Sequence, residues 1–243
     1  MKTLPARLFF AAALLLATAA RAGDVHDAVQ AEDTERVRAL VSANPSLRLE
    51  LDDSKRTPLH WAVLSSDASL WTLVFDPKAL EMYDFVGLTP VHLAAMNRDT
   101  VEPLTGLLAR GAPADRPTRV ERATPLHWAA EQGNVQAMRI LLDHGADLHA
   151  QQLSGATTLH LAAGRSRNPE AVRLLLARGA KVDALNHLRM TPLLNAAASG
   201  QKEIVTLLLA AGADPKHRDA AGRDARSLAE RGKHADVAAL FKE

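Results

Sequence analysis

The sequence predicts an all-α protein, built as a solenoid of about seven helix pairs with short β-hairpin-like fingers between the pairs. Two observations lead to this prediction. A word of the form Thr-Pro-Leu-His-x-Ala recurs, with steps of 32, 35, 33 and 34 residues between its threonines. A Gly-Ala pair follows the second apolar segment of several copies. A fixed period near 33 residues indicates stacked units that share one core, because a single unit is too small to bury its own apolar face.

The recurring word predicts where each first helix begins. Its five copies start at Thr57, Thr89, Thr124, Thr157 and Thr191. A threonine hydroxyl can cap a helix N-terminus, and proline suits the first helical position because it lacks an amide hydrogen. The Leu and Ala residues that follow predict a short first helix with a small inner face.

The end of each second helix is also predicted. Glycine adopts the left-handed conformation that ends a helix, and it recurs at this place as Gly111, Gly145, Gly179 and Gly212. In the first unit Asn44 stands at the same place, so we expect it to form a left-handed cap. Gly106 stands where the next copy has Ile140, so we expect weaker packing there.

Two further units extend the frame to residues 23–243, which we interpret as one domain. The segment Val25-His26-Asp27-Ala28 matches the Leu-His-x-Ala part of the word. Leu228, Val237 and Leu240 continue the pattern near the other end, among charged residues typical of a capping unit.

This combination of word and period resembles the ankyrin-repeat family, and the resemblance covers essentially all of residues 23–243. It implies that the histidine of each word is structural and bonds to neighbouring backbone. The histidines in this frame are His26, His60, His92, His127 and His160. Trp61, Trp71 and Trp128 are interpreted as packing residues between neighbouring repeats.

Residues 1–22 have the pattern of a secretory signal peptide. Lys2 and Arg7 precede a 13-residue apolar stretch from Leu8 to Ala20, whereas a membrane-spanning helix needs roughly 20 residues. An Ala-x-Ala site predicts cleavage after Ala22 and a periplasmic or secreted protein. Cleavage leaves 26 cations against 28 acids, which gives no long-range attraction to nucleic acid or to an anionic membrane.

Several function classes are disfavoured. The chain has no cysteine, which removes thiol catalysis and Cys-based zinc sites. It carries no nucleophile elbow, phosphate-binding loop, dinucleotide fingerprint or His-Glu-x-x-His motif. We therefore expect no enzyme activity, no cofactor and no metal site.

The partner surface is predicted at positions that the fold does not dictate. The finger before each threonine follows Asp-x-x-Gly-x-Thr, and its x residues are expected to point outward. Many are apolar, and an exposed apolar row rimmed by polar groups is typical of a protein interface. The predicted finger residues are Phe85, Val86, Leu88, Glu121, Leu153, His187, Leu188 and Met190. The resemblance implies that the finger tips and the concave face of the inner helices form the partner surface. The predicted residues on the inner helices are Met96, Asn97, Glu131, Gln132 and Arg165.

The sequence is compatible with two functions. The first is a periplasmic adaptor or scaffold that binds another protein. The alternative is an immunity or inhibitor protein that neutralises an exported toxin or enzyme by covering its active site. Self-association through the apolar finger residues is a further possibility.

Overall fold

The computed structural model describes residues 23–241, and the regular structure in this range is helical. It contains fourteen α-helices and three short 3₁₀ helices. No β-strand lies within the described range, where the fingers contribute one isolated bridge, between Gln151 and Thr157. The all-α prediction with seven helix pairs is confirmed. The predicted signal peptide at residues 1–22 lies outside the described residues.

The described residues up to Pro113 form one compact unit with three helix pairs. Its helices are α1 (Asp24–Gln30), α2 (Thr34–Ala43), α3 (Pro58–Ala62), α4 (Leu70–Leu73), α5 (Pro90–Met96) and α6 (Glu102–Ala109). Two 3₁₀ helices, Pro45–Leu49 and Pro77–Glu81, follow α2 and α4. We call this part unit 1.

The described residues from Ala114 onward form a second compact unit with four helix pairs. Its helices are α7 (Pro125–Gln132), α8 (Val135–Asp143), α9 (Thr158–Gly164), α10 (Pro169–Ala177), α11 (Pro192–Ala198), α12 (Lys202–Ala210), α13 (Ala225–Arg231) and α14 (Ala235–Ala238). A 3₁₀ turn, Ala239–Phe241, follows α14. We call this part unit 2.

Five of the seven inner helices begin directly after the threonine of the recurring word, as predicted, whereas α1 begins after Gly23 and α13 after Asp224. At α7 the Thr124 amide donates to His127 Nδ1 at 3.2 Å, and the Thr124 hydroxyl lies 2.8 Å from the same nitrogen. The same arrangement occurs at Thr57, Thr89 and Thr157. Proline fills the first helical position after Thr57, Thr89 and Thr124. The word therefore marks helix starts as predicted, but in the four copies that contain histidine its Nδ1 completes the cap, while at Thr191 the hydroxyl itself accepts from the Leu194 amide at 3.3 Å.

The core of each unit consists of aliphatic side chains from both helices of a pair. In unit 1 the largest fully buried side chains are Leu59, Leu70, Leu104 and Leu107. In unit 2 they are Leu126, Met138, Leu141, Leu159, Leu175, Leu193, Leu194 and Ile204. Full burial of one such side chain contributes about 1.5–3 kcal/mol, and this burial holds the short helices in place.

The predicted left-handed glycine caps are confirmed, whereas the left-handed cap predicted at Asn44 is wrong. Gly111, Gly145, Gly179 and Gly212 have φ between 84° and 90°, in the left-handed region. Asn44 instead has φ −139° and ψ 94°, because Pro45 follows and proline forces the preceding residue toward extended backbone. The Asn44 side chain accepts a hydrogen bond from the Ser46 amide and caps the 3₁₀ helix.

The expectation of weak packing at Gly106 is also wrong. A Cβ at this position would lie 2.3 Å from two ring carbons of Trp71, so the indole occupies the space that a side chain would need. Trp71 is almost completely buried, packs edge-on against Phe75, and lies beneath the Arg110 guanidinium. Glycine and tryptophan therefore form a complementary pair in unit 1.

No helix in the described range has the length and apolar content needed to cross a membrane.

Candidate functional site

Six fingers precede the inner helices, and each is closed by one backbone hydrogen bond. The amide of the first finger residue donates to the carbonyl of the last, at 2.8–3.1 Å. The fingers are residues 52–56, 84–88, 118–123, 152–156, 186–190 and 219–223, which we number 1 to 6. Fingers 1 and 2 belong to unit 1, and fingers 3 to 6 belong to unit 2.

An acidic or amide side chain fixes the shape of most fingers. In finger 2, Asp84 Oδ1 accepts from the amides of Val86 and Leu88 at 3.0 and 2.9 Å. In finger 5, Asn186 Oδ1 makes the same pair of bonds to Leu188 and Met190. Because these bonds are local, the finger backbone is set before any partner arrives.

Neighbouring fingers are joined by single backbone hydrogen bonds. In unit 2, the Leu153 amide donates to the Glu121 carbonyl at 2.7 Å, and the His187 amide donates to the Ser154 carbonyl at 3.0 Å. These bonds place fingers 3, 4 and 5 side by side. In unit 1, the Phe85 amide donates to the Ser54 carbonyl at 2.8 Å and joins fingers 1 and 2.

The tips of these fingers expose large apolar side chains. Phe85 and Val86 on finger 2 are 76% and 59% exposed. On unit 2 the exposed fractions are 69% for Val120, 61% for Leu153 and 62% for Leu188. The joined fingers 3, 4 and 5 thus carry one exposed aliphatic residue each. We call Val120, Leu153 and Leu188 the apolar row.

Two predicted finger residues do not point freely outward. Leu88 is only 6% exposed, so its expected place on the surface is wrong. It is the last finger residue, and its side chain turns into the core just before Thr89. Met190 occupies the same place in finger 5 and is half-buried, while its carbonyl accepts from His160 Nε2 at 2.9 Å. The sequence contains an indication that this place faces inward, because two other fingers end in a small apolar residue, Ala123 and Ala156. Both of these alanines are buried in the structure.

The predicted polar finger residues lie at the surface. Glu121 and His187 are both exposed and sit on fingers 3 and 5. The His187 ring lies over Gly155, where a Cβ would approach it to 2.6 Å. Gly155 also has φ 78°, so this place in finger 4 requires glycine for two reasons.

The inner-helix residues divide between structural and accessible positions. Asn97 is buried, and its amide donates to the Val63 carbonyl at 3.1 Å, so this predicted contact residue holds unit 1 together. Met96 is partly exposed at the end of α5. In unit 2, Arg165 Nη1 donates to Glu131 Oε1 at 2.7 Å, and Gln132 is partly exposed beside this pair.

The histidines of the recurring word are structural. The backbone amide of Thr124 donates to His127 Nδ1, so Nδ1 carries no proton and Nε2–H donates to the Ala156 carbonyl at 3.2 Å. Burial lowers the pKa of His127 to about 4, and burial likewise lowers the pKa of His60 to about 4. His127 is therefore neutral with both ring nitrogens engaged, and His60 is neutral with Nδ1 bonded to the Thr57 amide and Nε2 buried, so neither is positioned to act as a general base.

Trp61 belongs to a polar network on the inner face of unit 1. Its Nε1–H donates to Asp52 Oδ2 at 2.7 Å, and the Arg56 guanidinium lies 4.6 Å from its ring centroid. Arg56 also donates to the buried Asp84 at 3.1 Å. This network ties finger 1 to finger 2 and supports the packing interpretation of Trp61. Trp71 is likewise a packing residue, as its complementarity with Gly106 indicates.

The described residues contain no group of three or more His, Asp or Glu side chains arranged to hold a metal ion. The accessible feature of the fingers is instead an apolar surface on preformed turns. Such a surface suits noncovalent recognition.

Comparison with known proteins gives a consistent result. The family described as ankyrin repeats in three copies matches residues 70–152 and 148–219. A B-cell lymphoma 3 protein homolog of Mus musculus is 34% identical over 175 residues, covering 70% of this chain and 38% of that protein. Ankyrin repeat protein nuc-2 of Neurospora crassa is 33% identical over 168 residues, covering 68% of this chain and 15% of that protein. The nuclear factor NF-kappa-B p105 subunit of Gallus gallus is 32% identical over 169 residues, covering 68% of this chain and 17% of that protein. The chain thus matches well under half the length of each of these relatives.

Proposed function

Because this chain belongs to the ankyrin-repeat family, whose repeats mediate protein–protein interaction, we propose that it is an adaptor or scaffold that binds a partner protein in the periplasm or outside the cell. The proposal assigns the contact to the finger tips of unit 2, with the inner-helix residues beside them as the polar surroundings. The signal-peptide pattern of residues 1–22 supports the exported location.

The proposed contact surface rests on the exposed aliphatic side chains of fingers 3, 4 and 5. Three joined fingers each expose an aliphatic side chain, although nothing in the helical frame requires an apolar residue there. Exposed apolar groups that lie next to one another indicate a surface that another molecule covers. The fingers are fixed by local hydrogen bonds, so little conformational entropy is lost when a partner binds.

Affinity capture from a periplasmic extract tests the proposal. The bait is the chain from residue 23 onward, and the test variant is Leu153→Ser. The control variant is Leu240→Ser, which changes an exposed leucine on the terminal turn of unit 2. We expect one protein to be retained by the unchanged bait and by the control and lost by Leu153→Ser.

The outcome also separates the roles within this class. A retained enzyme that loses activity in the complex would assign the inhibitor role. Equal capture by all three baits would remove the apolar row from the contact surface. Absence of any specific protein, together with self-association that Leu153→Ser abolishes, would assign the row to a homo-oligomer.

A further inference from the structure

The next-to-last residue of each finger adopts a left-handed backbone conformation. Glycine fills it in three fingers, with φ 89° at Gly87, 78° at Gly155 and 75° at Gly222. The other three fingers carry a long basic residue in the same conformation. These residues are Lys55, Arg122 and Arg189, with φ of 56°, 54° and 57°.

A basic residue at this place is unfavourable for the fold. The left-handed region brings Cβ close to the following carbonyl oxygen, and glycine alone avoids the conflict. Glycine would suit the backbone better at this place, so the fold itself does not require arginine there. Residues held in unfavourable backbone conformations occur preferentially at functional sites.

The two arginines of unit 2 are also electrostatically unsatisfied. Arg122 and Arg189 are both exposed, and within the described part of the chain neither forms an ion pair or a side-chain hydrogen bond. Finger 6 differs, because Arg223 lies 2.6 Å from Asp219 within the finger, and Arg218 lies 2.9 Å from Asp224 on its two flanks. Intramolecular carboxylates neutralise finger 6 but leave the two arginines of fingers 3 and 5 without a partner.

These arginines lie at both ends of the apolar row. Arg122 lies two residues after Val120 on finger 3, and Arg189 directly follows Leu188 on finger 5. Leu153 lies on finger 4 between them, and finger 4 carries no charged residue. Glu121 is the one acid among residues 118–123, and within the described residues it forms no ion pair with Arg122. The surface is therefore apolar in the middle and presents an exposed guanidinium without an ion pair at each end.

We infer that the partner presents an acidic peptide segment, with aliphatic or aromatic side chains at its centre and a carboxylate at each end. The central side chains cover the apolar row, and the carboxylates pair with Arg122 and Arg189, whose planar guanidinium groups suit two-point contact with a carboxylate. This inference rests on the proposed protein-binding function and specifies the chemistry of the partner.

Selection from a phage-displayed library of random 12-residue peptides tests the inference. Three baits are used: the unchanged chain, Arg122→Gly/Arg189→Gly, and Arg122→Glu/Arg189→Glu. Glutamate is tolerated in this conformation, since Glu32 has φ 53° in the same chain. We expect the unchanged bait to enrich peptides with Asp or Glu flanking apolar residues, and the glutamate variant to enrich Lys or Arg at those places.

Binding and stability measurements complete the test. The best acidic peptide should bind the double glycine variant about tenfold more weakly, and the difference should shrink in 0.5 M salt, where exposed charges are screened. The same variant should unfold at an equal or higher temperature, so weaker binding will not reflect unfolding.

Three results would overturn the inference. Enriched peptides without a charge bias that still require Leu153 would leave the protein-binding function standing while removing its acidic partner. Failure to enrich any peptide over an empty support would reject recognition of a linear segment. Binding to vesicles containing phosphatidylglycerol that depends on Arg122 and Arg189 would assign the surface to a membrane instead.

Discussion

Substituting Gly106 by alanine should destabilise unit 1, although helix propensity alone predicts the opposite. Gly106 lies inside α6, and replacement of an interior helical glycine by alanine ordinarily stabilises a protein by about 1 kcal/mol. Here the new Cβ would lie 2.3 Å from the Trp71 ring, far inside van der Waals contact. The ring is held by Phe75, with centroids 6.3 Å apart, and by Arg110, 4.6 Å from the ring centroid.

The net effect follows from these opposing contributions. Overpacking of a filled site costs about 1–3 kcal/mol, and displacement of the ring weakens the aromatic and cation–π contacts by about 1 kcal/mol. After the gain in helix propensity, we expect Gly106→Ala to lower the free energy of unfolding by about 2 kcal/mol. Urea denaturation followed by circular dichroism at 222 nm measures this change.

Two companion variants make the test specific. Thr105→Ala changes an exposed neighbour on the same helix and should leave stability within about 0.5 kcal/mol of the unchanged protein. Trp71→Leu combined with Gly106→Ala removes the clash, so the two substitutions together should cost about 1–3 kcal/mol less than the sum of the single effects. If Gly106→Ala alone raises stability by about 1 kcal/mol, as propensity predicts, the indole does not occupy this space and the argument fails.

Three further predictions concern the fingers, the buried histidines and the chain start. Leu88→Ala should lower the free energy of unfolding by about 2–4 kcal/mol because a buried side chain is lost, whereas Leu153→Ala should change it by less than about 0.5 kcal/mol; equal effects in chemical denaturation would contradict the assigned burial. Since burial lowers the pKa of His60 and His127 to about 4, from 6.5 for an exposed histidine, the folded state binds fewer protons than the unfolded chain at intermediate pH. Stability should therefore be complete above pH 6.5 and fall toward pH 4, by about 2 kcal/mol per histidine at pH 5; equal urea midpoints at pH 7 and pH 5 would refute the histidine assignment. N-terminal sequencing of the exported protein should begin at Gly23, and a start at the first methionine in the cell envelope fraction would refute cleavage.

The repeat frame was predictable because each of its residues has one dominant physical role. A threonine that caps, a proline without an amide hydrogen, and a glycine with positive φ act through local backbone geometry, which the sequence encodes directly. The period then fixed the number of helix pairs. The same reasoning identified the exposed tip residues Phe85, Val86, Leu153 and Leu188.

The errors arose where a contact from another part of the chain decides the outcome. The finger pattern predicts Leu88 at the surface, but the last finger residue turns inward to meet the core. Gly106 by itself predicts a packing defect, but Trp71 from the preceding helix pair fills the space. The repeat pattern predicts a left-handed Asn44, but Pro45 dictates its backbone.

The histidine contacts have a consequence for how such a chain can change over time. His127 donates to the carbonyl of Ala156 and His160 donates to the carbonyl of Met190, so each of these two histidines contacts the following finger through its main chain and not through a finger side chain. A carbonyl is present whatever amino acid occupies the finger. Mutations at the tips can therefore accumulate without disturbing the junction between repeats, and a lineage can acquire a new binding preference while inheriting the same framework.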